Sequence, residues 1–66
     1  MVCINKDKIK AHLHENFIDV EKLCNKMQIN RMSFYIYLAN KQMPKNVYLK
    51  LCKVLDKDEK EFKNVL

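Results

Sequence analysis

The chain has 66 residues, a length that fits one small domain and excludes a catalytic domain beside a regulatory one. Hydrophobic residues make up 48% of it and charged residues 32%, which argues against disorder along the whole chain. The apolar runs are too short for a transmembrane helix, and we expect no signal peptide at the start. The absence of glycine excludes Gly-rich phosphate-binding loops and disfavours hairpin-rich β folds.

The net charge of +5 is unevenly distributed along the chain. No acidic residue lies between Glu21 and Asp56, and this segment contains seven basic residues: Lys22, Lys26, Arg31, Lys41, Lys45, Lys50 and Lys53. Such an asymmetry indicates a polyanionic partner, DNA or RNA before a membrane. The alternative interpretation is a solvated, lysine-rich surface.

The cysteines and histidines do not form a recognisable site. Cys3, Cys24 and Cys52 are an odd number at unrelated spacings, which is typical of neither a disulfide framework nor a zinc site. Free thiols in apolar helical patterns predict small buried side chains and a reducing compartment, the cytoplasm. His12 and His14 are two residues apart and point to different sides of a helix. We therefore expect no metal, no cofactor and no small-molecule ligand.

Three helices are predicted by one start signal: a capping residue, an apolar residue before it and another four residues after it. The caps are Asn5, Asp19 and Asn30, and the apolar pairs are Ile4 with Ile9, Ile18 with Leu23, and Ile29 with Phe34. Asn16 is expected to end the first helix. Pro44 is expected to end the third stretch, because the residue before a proline is pushed out of the helical region.

Two further helices complete the expected fold. The fourth runs from Lys45 or Asn46 to Leu55, and the fifth opens at Asp58 with Glu61 as a carboxylate capping box. The prediction is one all-α domain, residues 1–66, of five short helices. Its expected core consists of Leu23, Cys24, Met27, Ile29, Phe34, Leu38, Leu51, Cys52 and Leu55.

Only Gln28-Ile29-Asn30 separates the second and third helices, so they must cross steeply over a shared core. The segment from Asp19 to Leu55 resembles the lambda-repressor/Cro-type (Xre-like) helix-turn-helix family, with the motif itself at about residues 19–40. The resemblance is carried by Leu23-Cys24, Met27-Gln28-Ile29-Asn30, Phe34 with Tyr37, and Tyr48-Leu49-Lys50-Leu51-Cys52-Lys53-Val54-Leu55.

The chain departs from the family pattern at two places. Gln28 stands where the family has its turn glycine, at a cost on the order of 1 kcal/mol if the backbone is left-handed there. The outer side of the third helix carries Met32, Tyr35 and Ile36, where the family usually has polar residues. Apolar side chains still contact thymine methyl groups, but packing against another element or a partner is the alternative.

The resemblance implies a sequence-specific regulator of transcription, a Cro-like repressor of a phage or mobile element, that acts by occupying its operator. Two groups of residues would contact the DNA. The bases would be contacted by Asn30, Arg31, Met32, Ser33, Tyr35 and Ile36, and the phosphates by Lys41, Lys45 and Asn46. Because one short helix contacts few base pairs, we expect a homodimer on a pseudo-palindromic operator, paired through Phe62, Val65 and Leu66. The alternative for Phe62 is that it closes the core.

A second class of function stays open at this point. The same fold could serve as a protein-interaction module, antirepressor-like or inhibitor-like, with the apolar side of the third helix as its contact surface. An enzyme is not expected, since Ser33 has no His or Asp neighbour in the sequence and the acids between Asp56 and Glu61 read as a helix start.

Overall fold

The computed structural model describes residues 1–64, which form four helices and a small two-stranded sheet. The elements in chain order are β1 (Val2–Cys3), α1 (Lys6–Glu15), α2 (Val20–Met27), α3 (Arg31–Asn40), β2 (Gln42–Met43) and α4 (Lys45–Leu55). The radius of gyration is 10.6 Å, close to the value of about 11 Å expected for a compact domain of this length. No helix within residues 1–64 is long and apolar enough to cross a membrane.

The first three helices begin at the predicted capping residues. Asn5 Oδ1 accepts a hydrogen bond from the Lys8 N–H at 3.1 Å, and Asp19 Oδ1 accepts one from the Glu21 N–H at 3.0 Å. Asn30 Oδ1 accepts from the Met32 N–H at 2.7 Å. Each cap satisfies a backbone donor that has no partner inside its helix, which is why these short helices start where they do.

The predicted core residues meet in one apolar cluster. Leu23, Cys24, Met27, Phe34, Leu38, Leu51 and Cys52 are buried, and Ile29 and Leu55 pack against them half-buried. The cluster is larger than expected, because it also contains Ile4, Ile9, Leu13, Met43, Val47, Tyr48 and Phe62. The additional members come from α1 and the residue two positions before it, from β2, from the first half of α4 and from the segment after α4.

The prediction of a fifth helix at Asp58 is wrong, because the last helix of the described residues is α4. Asp58 Oδ1 accepts from the Lys60 N–H at 2.8 Å and its carbonyl accepts from the Glu61 N–H at 3.0 Å, which makes a single turn. The chain then runs antiparallel to its own beginning, with a β-bridge between Ile4 and Lys63. The capping signal was real, but a turn satisfies it as well as a helix does, and pairing with the first strand replaces further helical turns.

The sheet is the second correction to an all-α fold. β1 pairs antiparallel with β2, with Val2 opposite Met43 and Cys3 opposite Gln42. The Asn5 N–H donates to the Phe62 carbonyl at 2.7 Å, so the first residues lie between the α3–α4 connection and the segment after α4. This arrangement buries Phe62, only 1% of which is exposed, in the core. Phe62 is therefore a core residue rather than the dimer contact we expected, while Val65 and Leu66 lie outside the described residues.

Four residues with side chains occupy the left-handed region where glycine is usual. Gln28, Lys41 and Asp56 follow the last residues of α2, α3 and α4, with φ between 55° and 57°, and their N–H groups close the ends of those helices. Phe17, between α1 and α2, has φ 53° and is 95% exposed. The chain thus makes its helix-ending turns without glycine, at an energetic cost of roughly 1 kcal/mol or more for each position.

Candidate nucleic-acid interface

The α2–turn–α3 unit has the link that the sequence predicted. α2 ends at Met27 and α3 begins at Arg31, and Gln28 between them is left-handed with φ 57° and ψ 42°. The Ile29 N–H donates to the Cys24 carbonyl at 3.1 Å, which holds the turn against the end of α2. The first residues of α3, Arg31 and Met32, are exposed after this compact turn.

Arg31 lies at the first position of α3 and contacts α2. Its guanidinium is 3.8 Å from the carboxylate of Glu21, and both side chains are more than half exposed. Such an exposed pair contributes only about 0.2–1 kcal/mol. Glu21 therefore holds the arginine near the start of α3 without preventing it from exchanging partners.

The outer face of α3 is apolar and open. Met32 is 69% exposed, Tyr35 50% and Ile36 51%, and these residues follow one side of the helix. Asn30, Arg31, Met32 and Tyr35 line a shallow concavity of about 390 Å³ at the start of the helix. The structure thus brings most of the predicted base-contacting residues together on one surface.

Two of the predicted base contacts have other positions or roles. Ser33 is half-buried, and the helical repeat places it beside the half-buried Tyr37, on the flank away from Arg31. Asn30 is exposed, but its side-chain oxygen already caps α3. Ser33 is therefore poorly placed for base contact, and the capping bond fixes the Asn30 side chain while its amide nitrogen remains a donor.

The predicted phosphate-binding residues surround β2. Lys41 follows α3 directly, while Lys45 and Asn46 are the first two residues of α4, and all three are exposed. The Lys41 carbonyl accepts from the Ile4 N–H at 3.0 Å, which fixes the backbone of this connection against the first strand. The three side chains therefore project from a connection held by the core rather than from a free loop.

The start of α4 differs from the starts of the other helices. Pro44 occupies the capping position and provides no side-chain hydrogen bond, whereas α1, α2 and α3 each have one. The N–H groups of a helix's first turn have no partner inside the helix and attract anions. The position of Pro44 directly before Lys45 is the sequence signal for these free donors, because proline has no side-chain acceptor for capping.

The basic segment keeps its charge in the folded chain. Its seven basic residues are all exposed. Within residues 1–64 the ion pairs are Lys8 with Glu61 and Arg31 with Glu21, so the segment's six lysines have no carboxylate within 4.0 Å there. The resulting surface attracts polyanions over roughly a Debye length, about 8–10 Å at physiological salt.

The buried thiols are structural groups. All three cysteines are free, with Cys3 exposed and Cys24 and Cys52 buried. Burial raises the pKa of the Cys24 thiol and that of the Cys52 thiol above the ordinary value for cysteine. Both thiols therefore stay protonated at neutral pH. Each packs as a small apolar side chain, as the helical patterns predicted.

Comparison of the chain with protein-family models, curated proteins and solved structures gave no match.

Proposed function

We propose that the chain is a sequence-specific DNA-binding regulator of transcription, a Cro-like repressor of a phage or mobile element that acts by operator occupancy rather than by catalysis. The observation that carries the proposal is the α2–turn–α3 unit, a three-residue link with left-handed Gln28 that leaves the first turns of α3 exposed. Lys41 and Lys45, which are exposed and follow α3, support it, because polyanion binding needs cations without neutralising partners.

Base recognition would come from the N-terminal half of α3 in the major groove. Arg31 is the candidate for a bidentate contact with guanine, since its pair with Glu21 is weak and exposed and leaves the guanidinium accessible. Met32 and Ile36 offer apolar surface for thymine methyl groups, and Tyr35 offers a hydroxyl beside it. Such a surface would favour an operator with thymine near the guanine contacted by Arg31.

Phosphate contacts would come from the connection between α3 and α4. Lys41 and Lys45 supply charge there, and Asn46 supplies an amide. The uncapped first turn of α4 adds backbone donors beside the same side chains. Contacts of this type fix the register of the protein on the duplex without reading sequence.

A single recognition helix discriminates poorly against a genome of competing sites, so we propose a homodimer on a pseudo-palindromic operator. Val65 and Leu66 remain the candidates for the contact between the two copies. Phe62 is no longer a candidate, because it is buried in the core. The proposal requires a compartment that contains DNA, the cytoplasm of a bacterium, and three free cysteines suit a reducing environment.

The test is selection of binding sites from a random double-stranded DNA library, followed by titration of the selected site at several salt concentrations. We expect enrichment of a two-fold symmetric sequence, bound about 10³-fold or more tightly than random DNA. The logarithm of affinity should fall linearly with the logarithm of salt concentration. DNA upstream of the chain's own gene is the first natural site to compare. A library that shows no enrichment would contradict sequence-specific binding.

The apolar side of α3 favours a second candidate, a protein-interaction module. Met32, Tyr35 and Ile36 together expose more apolar surface than recognition of a polar base edge requires. The two candidates differ in the effect of replacing Met32 and Ile36 by glutamine. A DNA reader would keep its affinity for phosphates and change its preferred bases, whereas a protein-binding face would lose its partner altogether.

A further inference from the structure

A groove with an apolar floor runs between α2 and α4. Its first part has a volume of about 230 Å³, and the apolar residues that line it are Ile18, Leu23, Val54 and Leu55. It continues into a second concavity of about 380 Å³ that includes Met27, and the two share Lys26 and Val54. The two concavities are therefore adjacent and together follow the length of α2.

Lysines form both edges of this groove. Lys22 and Lys26 rise from α2, Lys50 and Lys53 rise from α4, and all four are exposed. Asp19 is the acid in the lining, and its carboxylate already caps α2 by accepting from the Glu21 N–H. Within residues 1–64 none of the four lysines has a carboxylate within 4.0 Å, so the edges are positive and unneutralised.

The groove is separate from the candidate DNA surface. On α2 the buried positions Leu23, Cys24 and Met27 define the inner side. The helical repeat places Glu21, which contacts Arg31 of α3, on one flank of that side and Lys22 with Lys26 on the other. A molecule in the groove would therefore contact α2 on the side away from α3.

We propose that this groove binds an acidic amphipathic helix of a partner protein. The apolar floor favours apolar side chains at every third or fourth position of a helix, and the lysine edges favour the carboxylates that flank such a stripe. A nucleic-acid backbone satisfies the lysines but leaves the half-buried Ile18, Val54 and Leu55 of the groove in contact with water. The charge and the apolar surface are thus both satisfied by an acidic helix.

This inference goes beyond DNA binding, because it gives the domain a second binding surface. A partner in the groove and an operator against α3 would be bound at the same time. The chain would then bring an acidic protein segment to a chosen DNA site. Binding of that segment depends on the four lysines of the groove and not on Arg31.

The experiment uses a synthetic helical peptide of about 18 residues, long enough to form a helix on its own, with leucine along one stripe and glutamate on both flanks. Amide NMR spectra of the whole chain are followed during titration. We expect shifts at Lys22, Lys26, Lys50, Lys53 and Val54, with Arg31 and Tyr35 unchanged. A peptide of identical composition in scrambled order is the control for charge alone, and it should bind at least about tenfold more weakly because its apolar stripe is lost.

Variants in which two lysines are replaced by glutamate test whether the edges of the groove bind the peptide. The double variant Lys26→Glu with Lys50→Glu should weaken peptide binding by at least about tenfold, since the introduced glutamates repel the glutamates of the peptide. The matched control, Lys10→Glu with Lys60→Glu, changes the net charge equally at exposed positions outside the groove lining and should bind within about twofold of the parent. Circular dichroism checks that both variants keep the fold.

Three results would overturn the proposal. Equal binding of the scrambled peptide would reduce the groove to a charged surface. Shifts centred on α3 would move the site to the apolar outer face of that helix. Random-sequence duplex DNA that shifts the groove amides and competes with the peptide would assign the lysines to nucleic acid. None of these results depends on whether a specific operator exists.

Discussion

The hydroxyl of Tyr48 on α4 donates a hydrogen bond to the backbone carbonyl of Glu59, in the turn that follows the helix. Tyr48 is only 1% exposed, so the bond forms at the edge of the core and anchors the turn that leads to Phe62. Burial raises the pKa of the Tyr48 hydroxyl above its ordinary value. The protonated hydroxyl is thus the form that the folded chain requires.

Tyr48→Phe should therefore change both the stability and its pH dependence. At neutral pH we expect a loss of about 1 kcal/mol, because the Glu59 carbonyl loses its partner. Since the pKa of Tyr48 is raised in the folded state, its stabilising contribution is complete below about pH 10 and is lost as the pH rises further. Melting curves between pH 8 and about pH 11 should show a steeper alkaline decline for the parent than for Tyr48→Phe. Parallel curves would show that the hydroxyl ionises as easily in the folded chain as in the unfolded one.

Phe34→Ala should unfold the domain. The ring is completely buried, and removing it costs about 3–5 kcal/mol, a large share of the stability of a domain this small. Met32→Ala on the same helix is the matched control, since 69% of Met32 is exposed and its loss should change stability by less than about 0.5 kcal/mol. Urea unfolding of both variants measures the difference, and equal midpoints would mean that the register of α3 is wrong.

Phe17→Gly should stabilise the domain. Phe17 has φ 53° and 95% of it is exposed, so glycine removes backbone strain while almost no packing is lost. We expect a gain of about 0.5–1 kcal/mol, after the greater freedom of glycine in the unfolded chain is included. That gain corresponds to a rise in Tm of roughly 2–8 °C. Phe17→Ala retains the Cβ and serves as the control, and an equal rise in its Tm would attribute the effect to lost aromatic surface instead.

Arg31→Ala and Lys45→Ala should weaken DNA binding in different ways. Loss of Arg31 should cost roughly 1–3 kcal/mol on the selected site and much less on random DNA, because a bidentate guanine contact depends on sequence. Loss of Lys45 should weaken all sequences alike and lower the slope of log affinity against log salt by about 0.9. Fluorescence anisotropy at several salt concentrations separates the two effects. Equal losses on both DNAs for Arg31→Ala would remove Arg31 from base recognition.

Deleting Val65 and Leu66 tests the dimer contact without disturbing the described core. Phe62 stays in place, as does Asn64, whose N–H donates to the Cys3 carbonyl at 2.9 Å. We expect an unchanged Tm and loss of cooperative binding to a palindrome, while binding to a single half-site persists. Cooperative binding by the truncated chain would show that the two copies meet elsewhere.

The sequence predicted those structural features that depend on residues close to each other along the chain. Asn5, Asp19 and Asn30 mark helix starts because a cap and its backbone donor lie within three positions of each other. The β-bridge between Ile4 and Lys63 joins opposite ends of the chain, and two-residue strands are too short to show alternation. No local pattern therefore indicated the sheet, and the turn at Asp58 looked the same as a helix start.

In the candidate site, too, features set by one helix could be predicted and features set by packing between helices could not. The exposure of Met32, Tyr35 and Ile36 agrees with the helical repeat of α3, and that repeat also accounts for the partial burial of Ser33. The ion pair between Arg31 and Glu21 joins two helices, so it depends on how α2 and α3 cross. The lysine edges of the α2–α4 groove depend on packing between elements in the same way and became visible only in three dimensions.

The pairing of the chain's beginning with residues 62–64 also determines when the domain folds during synthesis. Ile4 and Asn5 are made first, but their partners Lys63 and Phe62 emerge from the ribosome only after α1 to α4. At roughly 5–20 residues per second, translation through residue 64 takes about 3–13 s. During that time the nascent helices lack Phe62 and expose an incomplete core to proteases and chaperones. The core of this domain is therefore complete only after Phe62 has been made, and its yield in a cell depends on how quickly that last core residue arrives.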